Sequence, residues 1–333
     1  MRRVETYLDA VPRVSGRAED FGPLTLYVAD EGAPFPYYAR PTVGGPGHAP
    51  GPDQVRRVRE RQRRLGVPES FEWIGEHSPG LRAAAEATGL RVWERPLMVL
   101  NAADADDAHT DTAHTAAADT DPVRAPERRE GGARVLGPED PALPGALAVP
   151  YLAFAEPPGG EPGTGPSEGP GGEPGGEPPA GPPGSGNGLR LEDAVRLYVT
   201  PWAVARARDR IRAGHTVVAA ALDGAGVPLC AGQLLPLGGT TELVGIGTLP
   251  RARRRGLGAA VTAALVAEAH RLGLTTVFLT ANDERVAQLY ARHGFRTAAT
   301  ACFAQPPPAA PDVAVAPCTA VAPNAPASGD GAW

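Results

Sequence analysis

Residues Thr241 to Phe295 read TELVGIGTLPRARRRGLGAAVTAALVAEAHRLGLTTVFLTANDERVAQLYARHGF, and this stretch decides the fold. It has the order strand, glycine turn, long helix, second strand, short helix. The apolar run Glu242 to Leu249, which ends at Pro250, predicts a buried strand of a mixed or parallel sheet. Apolar residues at helical spacing predict a long helix that begins at about Leu257 and stops at Gly273. The residues of this apolar stripe are Leu257, Val261, Leu265, Ala269 and Leu272.

The turn between the first strand and the long helix, RARRRGLG at 251–258, is suited to an anion. Its glycines let the backbone approach a ligand closely, and successive N–H groups of such a turn can point at one anion. The positive end of the helix dipole faces the same place. The pattern therefore predicts an anion site here, although a solvated basic turn would have the same composition.

These residues resemble the GNAT superfamily of acetyl-CoA-dependent N-acetyltransferases. The pyrophosphate loop of that family is matched by Arg253, Gly256 and Gly258. The short helix of the family is matched by Asn282, Asp283, Ala287, Leu289, Tyr290, Gly294 and Phe295. Glu242 lies 253 − 242 = 11 residues before Arg253, where many members carry a general-base glutamate. The resemblance is strongest over 241–296 and extends over 133–304.

The resemblance implies an α/β fold of the α+β GNAT type, with a central mixed twisted sheet flanked by helices, and acetyl-CoA as co-substrate. It implies that Glu242 is the base and Tyr290 the acid at the thioester sulfur. The residues that would bind acetyl-CoA are Ile246, Gly247, Thr248, Arg253, Arg254, Gly256, Leu257, Gly258, Ala259 and Asn282. Tyr198 and Trp202, on a helix before the sheet, are candidates for acceptor contact. A solvent-facing edge residue at position 242 and a core aromatic at position 290 remain the structural alternatives.

The first hundred residues predict a second, degenerate unit of the same kind. The sequence EATGLRVWERPLMVL has the same helix, Gly-apolar, strand layout as ARHGFRTAATACFA near the end of the second unit. The loop at 42–53, TVGGPGHAPGPD, has no arginine or glutamine at its start and contains prolines, which lack an N–H for phosphate. An unrelated small domain is the alternative for 1–100.

The composition of the sequence divides the rest of the chain into segments. A flexible linker is predicted at 101–132, and the acetyltransferase domain at 133–304. A Gly/Pro-rich insertion interrupts that domain at 156–188, and a tail of similar character runs over 305–333. His109 and His114 fall in the linker and are interpreted as solvated, so no metal site is predicted.

The composition narrows the class of protein. A net charge of −6 argues against general nucleic-acid binding. No run approaches a membrane span, and the first residues lack the apolar core of a signal peptide. Three cysteines, Cys230, Cys302 and Cys318, are spaced for neither a metal site nor a disulfide framework, which predicts a reducing, cytoplasmic location.

The predicted function is an N-acetyltransferase acting on a small-molecule or protein amine, as a monomer or homodimer. One alternative is a sensor that binds acyl-CoA without turnover. Another is an interaction protein that uses the arginine-rich helix Val55 to Arg64. Nothing in the sequence identifies the acceptor.

Overall fold

The computed structural model describes residues 1–30, 38–45, 49–101, 132–154 and 189–307. The predicted linker, the predicted insertion and all but the first residues of the predicted tail lie outside these ranges. Within them, no helix is both long enough and apolar enough to cross a membrane.

The described residues contain eleven strands and eight helices. The strands are β1 (Gly16–Asp20), β2 (Leu24–Ala29), β3 (Ala39–Pro41), β4 (Phe71–Ile74), β5 (Arg91–Asn101), β6 (Ala133–Leu136), β7 (Val217–Leu222), β8 (Pro228–Leu234), β9 (Thr240–Thr248), β10 (Thr276–Thr280) and β11 (Arg296–Gln305). The helices are α1 (Arg2–Ala10), α2 (Pro52–Leu65), α3 (Leu81–Glu86), α4 (Leu143–Ala153), α5 (Leu191–Tyr198), α6 (Pro201–Arg212), α7 (Leu257–Arg271) and α8 (Glu284–Ala291).

All the strands belong to one mixed sheet in the order β1-β2-β3-β4-β11-β5-β10-β9-β8-β7-β6. Two pairs are parallel, β3 with β4 and β9 with β10, and the other neighbours are antiparallel. A helix joins each parallel pair, α2 in the first half and α7 in the second. The same supersecondary unit therefore occurs twice, as the internal repeat in the sequence predicts.

The two halves exchange their last strands at the centre of the sheet. β5 follows β4 along the chain but pairs with β10, and β11 follows β10 but pairs with β4. β5 and β11 pair with each other over their length, from Arg91 opposite Gln305 to Val99 opposite Arg296. Each half is thus completed by a strand of the other.

Each hydrophobic core also contains side chains from both halves. Met98 and Leu100 of β5 are buried in the cluster that α4 and α7 form with the second half of the sheet. Cys302 and Ala304 of β11 are buried in the cluster of the first half with α2 and α3. Since each core contains side chains from the other half, we expect neither half to keep its packing alone.

The predicted strand from Glu242 and the long helix after it are present, but the predicted apolar stripe of that helix is wrong at its last position. Leu272 is 42% exposed, because α7 ends at Arg271 and leaves this position outside the core. Between α5 and α6 the chain turns at Thr200, whose hydroxyl caps α6 by accepting from Ala203 N, and Pro201 begins that helix.

Candidate active site

A gap between β9 and β10 lies at the centre of the second half. The parallel ladder consists of three pairs and ends where Glu242 lies opposite Phe278. β9 continues to Thr248 on the other side of that point, paired only with β8. The two strands therefore separate after Glu242 and leave one edge of β9 without a neighbouring strand.

A β-bulge turns the end of β9 so that its backbone faces this gap. Gly245 has φ +61°, and the pairing with β8 shifts register there. After the bulge, Leu249 N–H donates to Leu229 O of β8 at 2.9 Å. Because backbone groups alternate in direction along a strand, the N–H groups of Ile246 and Thr248 face away from β8, into the gap.

Gly247 is required by close packing of α4. A Cβ at this position would lie 2.7 Å from Ala153 Cβ, closer than any real contact. The end of α4 therefore packs directly against the end of β9. This packing fixes the position of 246–248, the segment predicted to bind acetyl-CoA.

The loop before α7 presents a row of free donors. Within the described part of the chain, the backbone N–H groups of residues 254 to 259 donate to no acceptor, and the first bond of the helix is from Ala260 N to Gly256 O. Gly256, with φ +76°, is the N-cap and has no atom within 4 Å of where a Cβ would lie. A Cβ on Gly258 would meet only Thr248 Oγ1, at 3.8 Å. These residues form an open, donor-rich surface at the positive end of a 15-residue helix.

Arg253 and Arg254 differ in what they do within the loop. Arg253 Nη2 donates to Ala153 O at 2.8 Å, which fastens the loop to the end of α4. Arg254 is exposed and has φ +60°, the one positive φ of a non-glycine residue in the described ranges. Such a backbone conformation costs about 1–2 kcal/mol. Arg253 therefore has a structural bond, whereas Arg254 is available to a bound anion.

The corresponding loop of the first half uses one of its own donors internally and lacks another. Gly51 N, at the start of α2, donates to Gln54 Oε1 at 3.1 Å. Pro52, the first residue of the helix, has no N–H at all. Among the described residues, the start of α2 thus offers fewer donors than the start of α7, and 46–48 lie outside those residues.

Glu242 is buried in a polar cluster that both halves build. Its side chain is 3% exposed, and its Oε1 has no hydrogen-bond partner. Burial, followed by the nearby carboxyl of Glu72, raises the pKa of Glu242 well above its ordinary value, while the guanidinium of Arg40 acts to lower it. Tyr38 is buried in the same cluster, and burial and Glu72 raise the pKa of its phenol. The alternative interpretation of Glu242, as an edge residue that faces solvent, is therefore wrong.

Helix α1 covers this cluster. The ring of Tyr7 packs edge-on against Phe278, with 5.2 Å between the ring centroids. Tyr7 Oη donates to Leu235 O at 2.6 Å, and Leu235 N donates to Glu242 O at 3.2 Å. Burial and the carboxyl of Glu242 raise the pKa of Tyr7. Helix α1 was not predicted from the sequence, although Val4, Tyr7 and Leu8 have the spacing of one buried helical face.

Tyr290 lies on α8 at the edge of the second-half core. Its ring packs edge-on against Phe295, with 6.0 Å between the centroids. Tyr290 therefore has the packing contact that the alternative interpretation, a core aromatic, requires. Burial, with a smaller effect of Cys230, raises the pKa of Tyr290 to about 12. Cys230 itself accepts a hydrogen bond from Thr248 Oγ1 at 3.2 Å. Asn282 is exposed just before α8, whose N-cap Asp283 accepts from Val286 N at 2.8 Å.

The two candidate acceptor residues lie on different helices. Tyr198 ends α5 and stacks on Tyr151 of α4, with 4.8 Å between ring centroids and 5° between ring planes. Trp202 in α6 is 50% exposed, with the Arg206 guanidinium 5.4 Å above its ring. Tyr151 was not singled out by the sequence, because a single tyrosine in an apolar run carries no signal of a stacking partner.

Comparison with known proteins agrees with this geometry. Residues 190–295 match the model of the acetyltransferase (GNAT) family. No curated protein matches the sequence at a significant level. A GCN5-related N-acetyltransferase from Kribbella flavida is 22% identical, with a TM-score of 0.58, over 92% of this chain and 95% of that one. A tandem GNAT protein from the clavulanic acid biosynthesis pathway is 16% identical, with a TM-score of 0.47, over 86% of this chain and 79% of that one.

Residues 190–295 are therefore similar to a GNAT acetyltransferase domain, and the described residues have a GNAT-like fold in which the supersecondary unit occurs in tandem. The family that this segment matches implies acyl-CoA-dependent acyl transfer.

Proposed function

We propose that the protein is an acetyl-CoA-dependent N-acetyltransferase that moves an acetyl group to a primary amine by direct attack in a ternary complex. The observation that carries the proposal is the gap between β9 and β10. It has a donor-rich helix terminus at one end and a buried carboxyl, Glu242, where the strands separate.

Binding of the co-substrate is assigned to backbone groups. The N–H groups of residues 254 to 259 have no acceptor in the described chain and would hold the pyrophosphate, and Arg254 would add charge. The N–H groups of Ile246 and Thr248 would bind the pantetheine arm along the open edge of β9. Asn282, at the other side of the gap, stays a proposed contact. When bound, acetyl-CoA supplies an acetyl group activated as a thioester.

Two side chains are assigned to proton transfer. Glu242 accepts the proton that the acceptor amine loses as the new C–N bond forms, and its raised pKa makes the carboxylate a stronger base than an ordinary glutamate. Tyr290 donates a proton to the sulfur as the C–S bond breaks, which is feasible because its phenol stays protonated at neutral pH. Direct attack requires no acyl-enzyme.

The same proposal assigns the remaining parts of the chain. Residues 1–100 are a degenerate unit that completes the sheet and covers Glu242, and 133–304 are the catalytic unit. Tyr198 and Trp202 are assigned to the wall of the acceptor pocket. Cys230 and Cys302 are free, buried thiols, which is compatible with a cytoplasmic site of action.

Calorimetric titration with acetyl-CoA tests the proposal through one matched pair of glycines. Gly256 and Gly273 lie at opposite ends of α7, have φ of +76° and +69°, and both have open space at Cβ. Gly256→Glu and Gly273→Glu therefore introduce the same strain and the same charge. We expect micromolar binding by wild type and Gly273→Glu, and at least tenfold weaker binding by Gly256→Glu.

Thiol release on addition of amines separates the enzyme from the alternative of a non-catalytic sensor. Release that depends on an amine supports the transferase. Binding without release on any amine would favour the sensor, and absence of acetyl-CoA binding to folded wild type would rule out both.

A further inference from the structure

A small cavity lies beneath α1, where strands of both halves of the sheet meet. Its walls are formed by Leu8 of α1 and by side chains of β3, β4, β5, β10 and β11. Three of the lining side chains carry a charge or a hydroxyl, and they are Arg40, Glu72 and Thr280. The volume of the cavity is about 10 Å³. A space of that size holds one water molecule and no larger group.

Arg40 of β3 brings a buried cation to this cavity. The residue is 1% exposed, and within the described chain neither its Nε nor its Nη2 has a hydrogen-bond partner. A buried guanidinium without full hydrogen bonding is costly, and such a group in a folded protein calls for a physical explanation. Arg40 therefore requires an acceptor in its immediate surroundings.

Thr280 of β10 brings a hydroxyl from the other half of the sheet. Its Oγ1 is buried and has no hydrogen-bond partner among the described residues. On one side Thr280 pairs with Leu97 of β5. On the other side β9 has already separated from β10, since their ladder ends at the pair of Glu242 and Phe278. The unpartnered hydroxyl thus belongs to the strand segment that borders the gap of the candidate active site.

The chemistry of these three side chains selects the kind of ligand. Arg40 only donates hydrogen bonds, an ionised Glu72 only accepts them, and the Thr280 hydroxyl can do both. A cation in the cavity would face the guanidinium, and an anion would face the carboxyl of Glu72. An apolar group would leave the donors of Arg40 without an acceptor. A water molecule both donates and accepts, and buried waters typically make about three hydrogen bonds to polar groups of this kind.

We propose that the cavity is a binding site for a single water molecule, which accepts a hydrogen bond from Arg40, donates one to Glu72 and is bonded to the hydroxyl of Thr280. The water joins β3 and β4 of the first half to β10 of the second half, next to the point where β9 and β10 separate. Through it, the first half positions the strand that borders the gap. The inference is independent of the transferase proposal, because it concerns only the groups around the cavity.

Two threonines form a matched pair that tests the site in the full-length protein. The Oγ1 atoms of Thr241 and Thr280 are both buried without a hydrogen-bond partner in the described residues, but of the two only Thr280 lines the cavity. Replacement of an unpartnered buried hydroxyl by a methyl group should leave the Tm unchanged or raise it, and we expect this for Thr241→Val. Thr280→Val removes a partner of the water and should lower the Tm by about 2–4 °C.

Thermal unfolding of the two variants and of wild type decides between these outcomes. A Tm of Thr280→Val equal to or above that of wild type would overturn the inference, and so would equal losses in the two variants. Neither variant changes a charged group of the cluster, so the comparison is not affected by the ionisation of Glu72 or Glu242.

A high-resolution crystal structure identifies the ligand directly. We expect electron density for one water molecule within about 3.2 Å of Thr280 Oγ1 and of a guanidinium nitrogen of Arg40. The density should be unchanged in crystals of Thr241→Val and weaker or displaced in those of Thr280→Val. An ordered ion, a larger group, or no ordered molecule at this place in wild type would overturn the inference.

Discussion

Glu242 and Arg40 belong to the parallel strand pairs of opposite halves of the sheet, yet they lie in one buried cluster, where the guanidinium acts to lower the pKa of the carboxyl. Burial and Glu72 outweigh this effect, so the pKa of Glu242 is raised. The strand exchange brings this about, because it joins the two halves into one sheet beneath α1. The cluster is thus a property of the tandem arrangement and not of either unit.

The raised pKa predicts how stability depends on pH. Between the ordinary pKa of a glutamate, 4.5, and the raised value of Glu242, the folded state binds more protons than the unfolded state, so this group makes stability fall as pH rises. The Tm of Glu242→Gln relative to wild type should therefore rise steadily from pH 5 to pH 8. Thermal unfolding across that range measures the difference, and a difference independent of pH would contradict it.

Glu76→Gln is the control, because the pKa of Glu76 is shifted in the opposite direction to that of Glu242. Partial burial acts to raise the pKa of Glu76, but hydrogen bonds from Thr300 N and Oγ1 outweigh it and lower the pKa. This carboxylate stabilises the fold above its unfolded pKa, and the contribution is lost as pH falls through its folded pKa. Glu76→Gln should have a lower Tm than wild type at pH 8 and a smaller deficit in acid.

The role of Glu242 as base predicts a separate effect on activity. With any amine that wild type uses, Glu242→Gln should lower kcat about 10²–10⁴-fold, the usual contribution of general-base catalysis. Acetyl-CoA affinity by calorimetry should stay within about twofold. In wild type, kcat/KM should increase with pH as Glu242 loses its proton, and this limb should be absent from the variant. A variant with nearly full activity would assign the base to a water or to another group.

The phenol of Tyr290 should act only as a proton donor. Since its pKa is about 12, it stays protonated across the range in which the enzyme can be assayed, and wild type should lose no activity up to about pH 10 from its ionisation. Tyr290→Phe keeps the packing against Phe295 and removes the hydroxyl. We expect a lower kcat with an unchanged Tm, measured by thiol release and thermal unfolding. A lower Tm with an unchanged kcat would make Tyr290 a core residue alone.

The sequence predicted the second half in detail because its signals are local. Gly245, Gly256 and Gly273 occur where the backbone has positive φ, and the apolar stripe of α7 follows from helical spacing alone. The place of Arg40 beside Glu242 gave no such signal, since it depends on a strand from the other half. Strand exchange is equally invisible along the chain, because β5 and β11 carry the same pattern whether each pairs within its own half or across.

The two arginines of the loop should respond differently to substitution. Arg254→Gln removes an exposed charge near the bound phosphates and should weaken acetyl-CoA binding roughly twofold to fivefold at low salt, with the difference vanishing at high salt. Arg253→Gln removes the bond to Ala153 O and should lower the Tm, with little dependence of its affinity loss on salt. Calorimetry at two ionic strengths and thermal unfolding distinguish them. The same salt response from both variants would contradict the division of roles.

The exchanged strands predict that the halves fold only together. A fragment of residues 132–333 lacks β5, so β10 loses its antiparallel partner and the second core loses Met98 and Leu100. We expect this fragment to be unfolded by circular dichroism and heteronuclear NMR, and to recover a folded spectrum when it is co-expressed with residues 1–131. The full chain should unfold in one cooperative transition, and Leu97→Ala in β5 should lower stability by about 2–5 kcal/mol, as for a buried leucine in a well-packed core. A folded, acetyl-CoA-binding fragment 132–333 would show instead that the second half is complete without β5, and that the first half contributes the cover of Glu242 but not the fold.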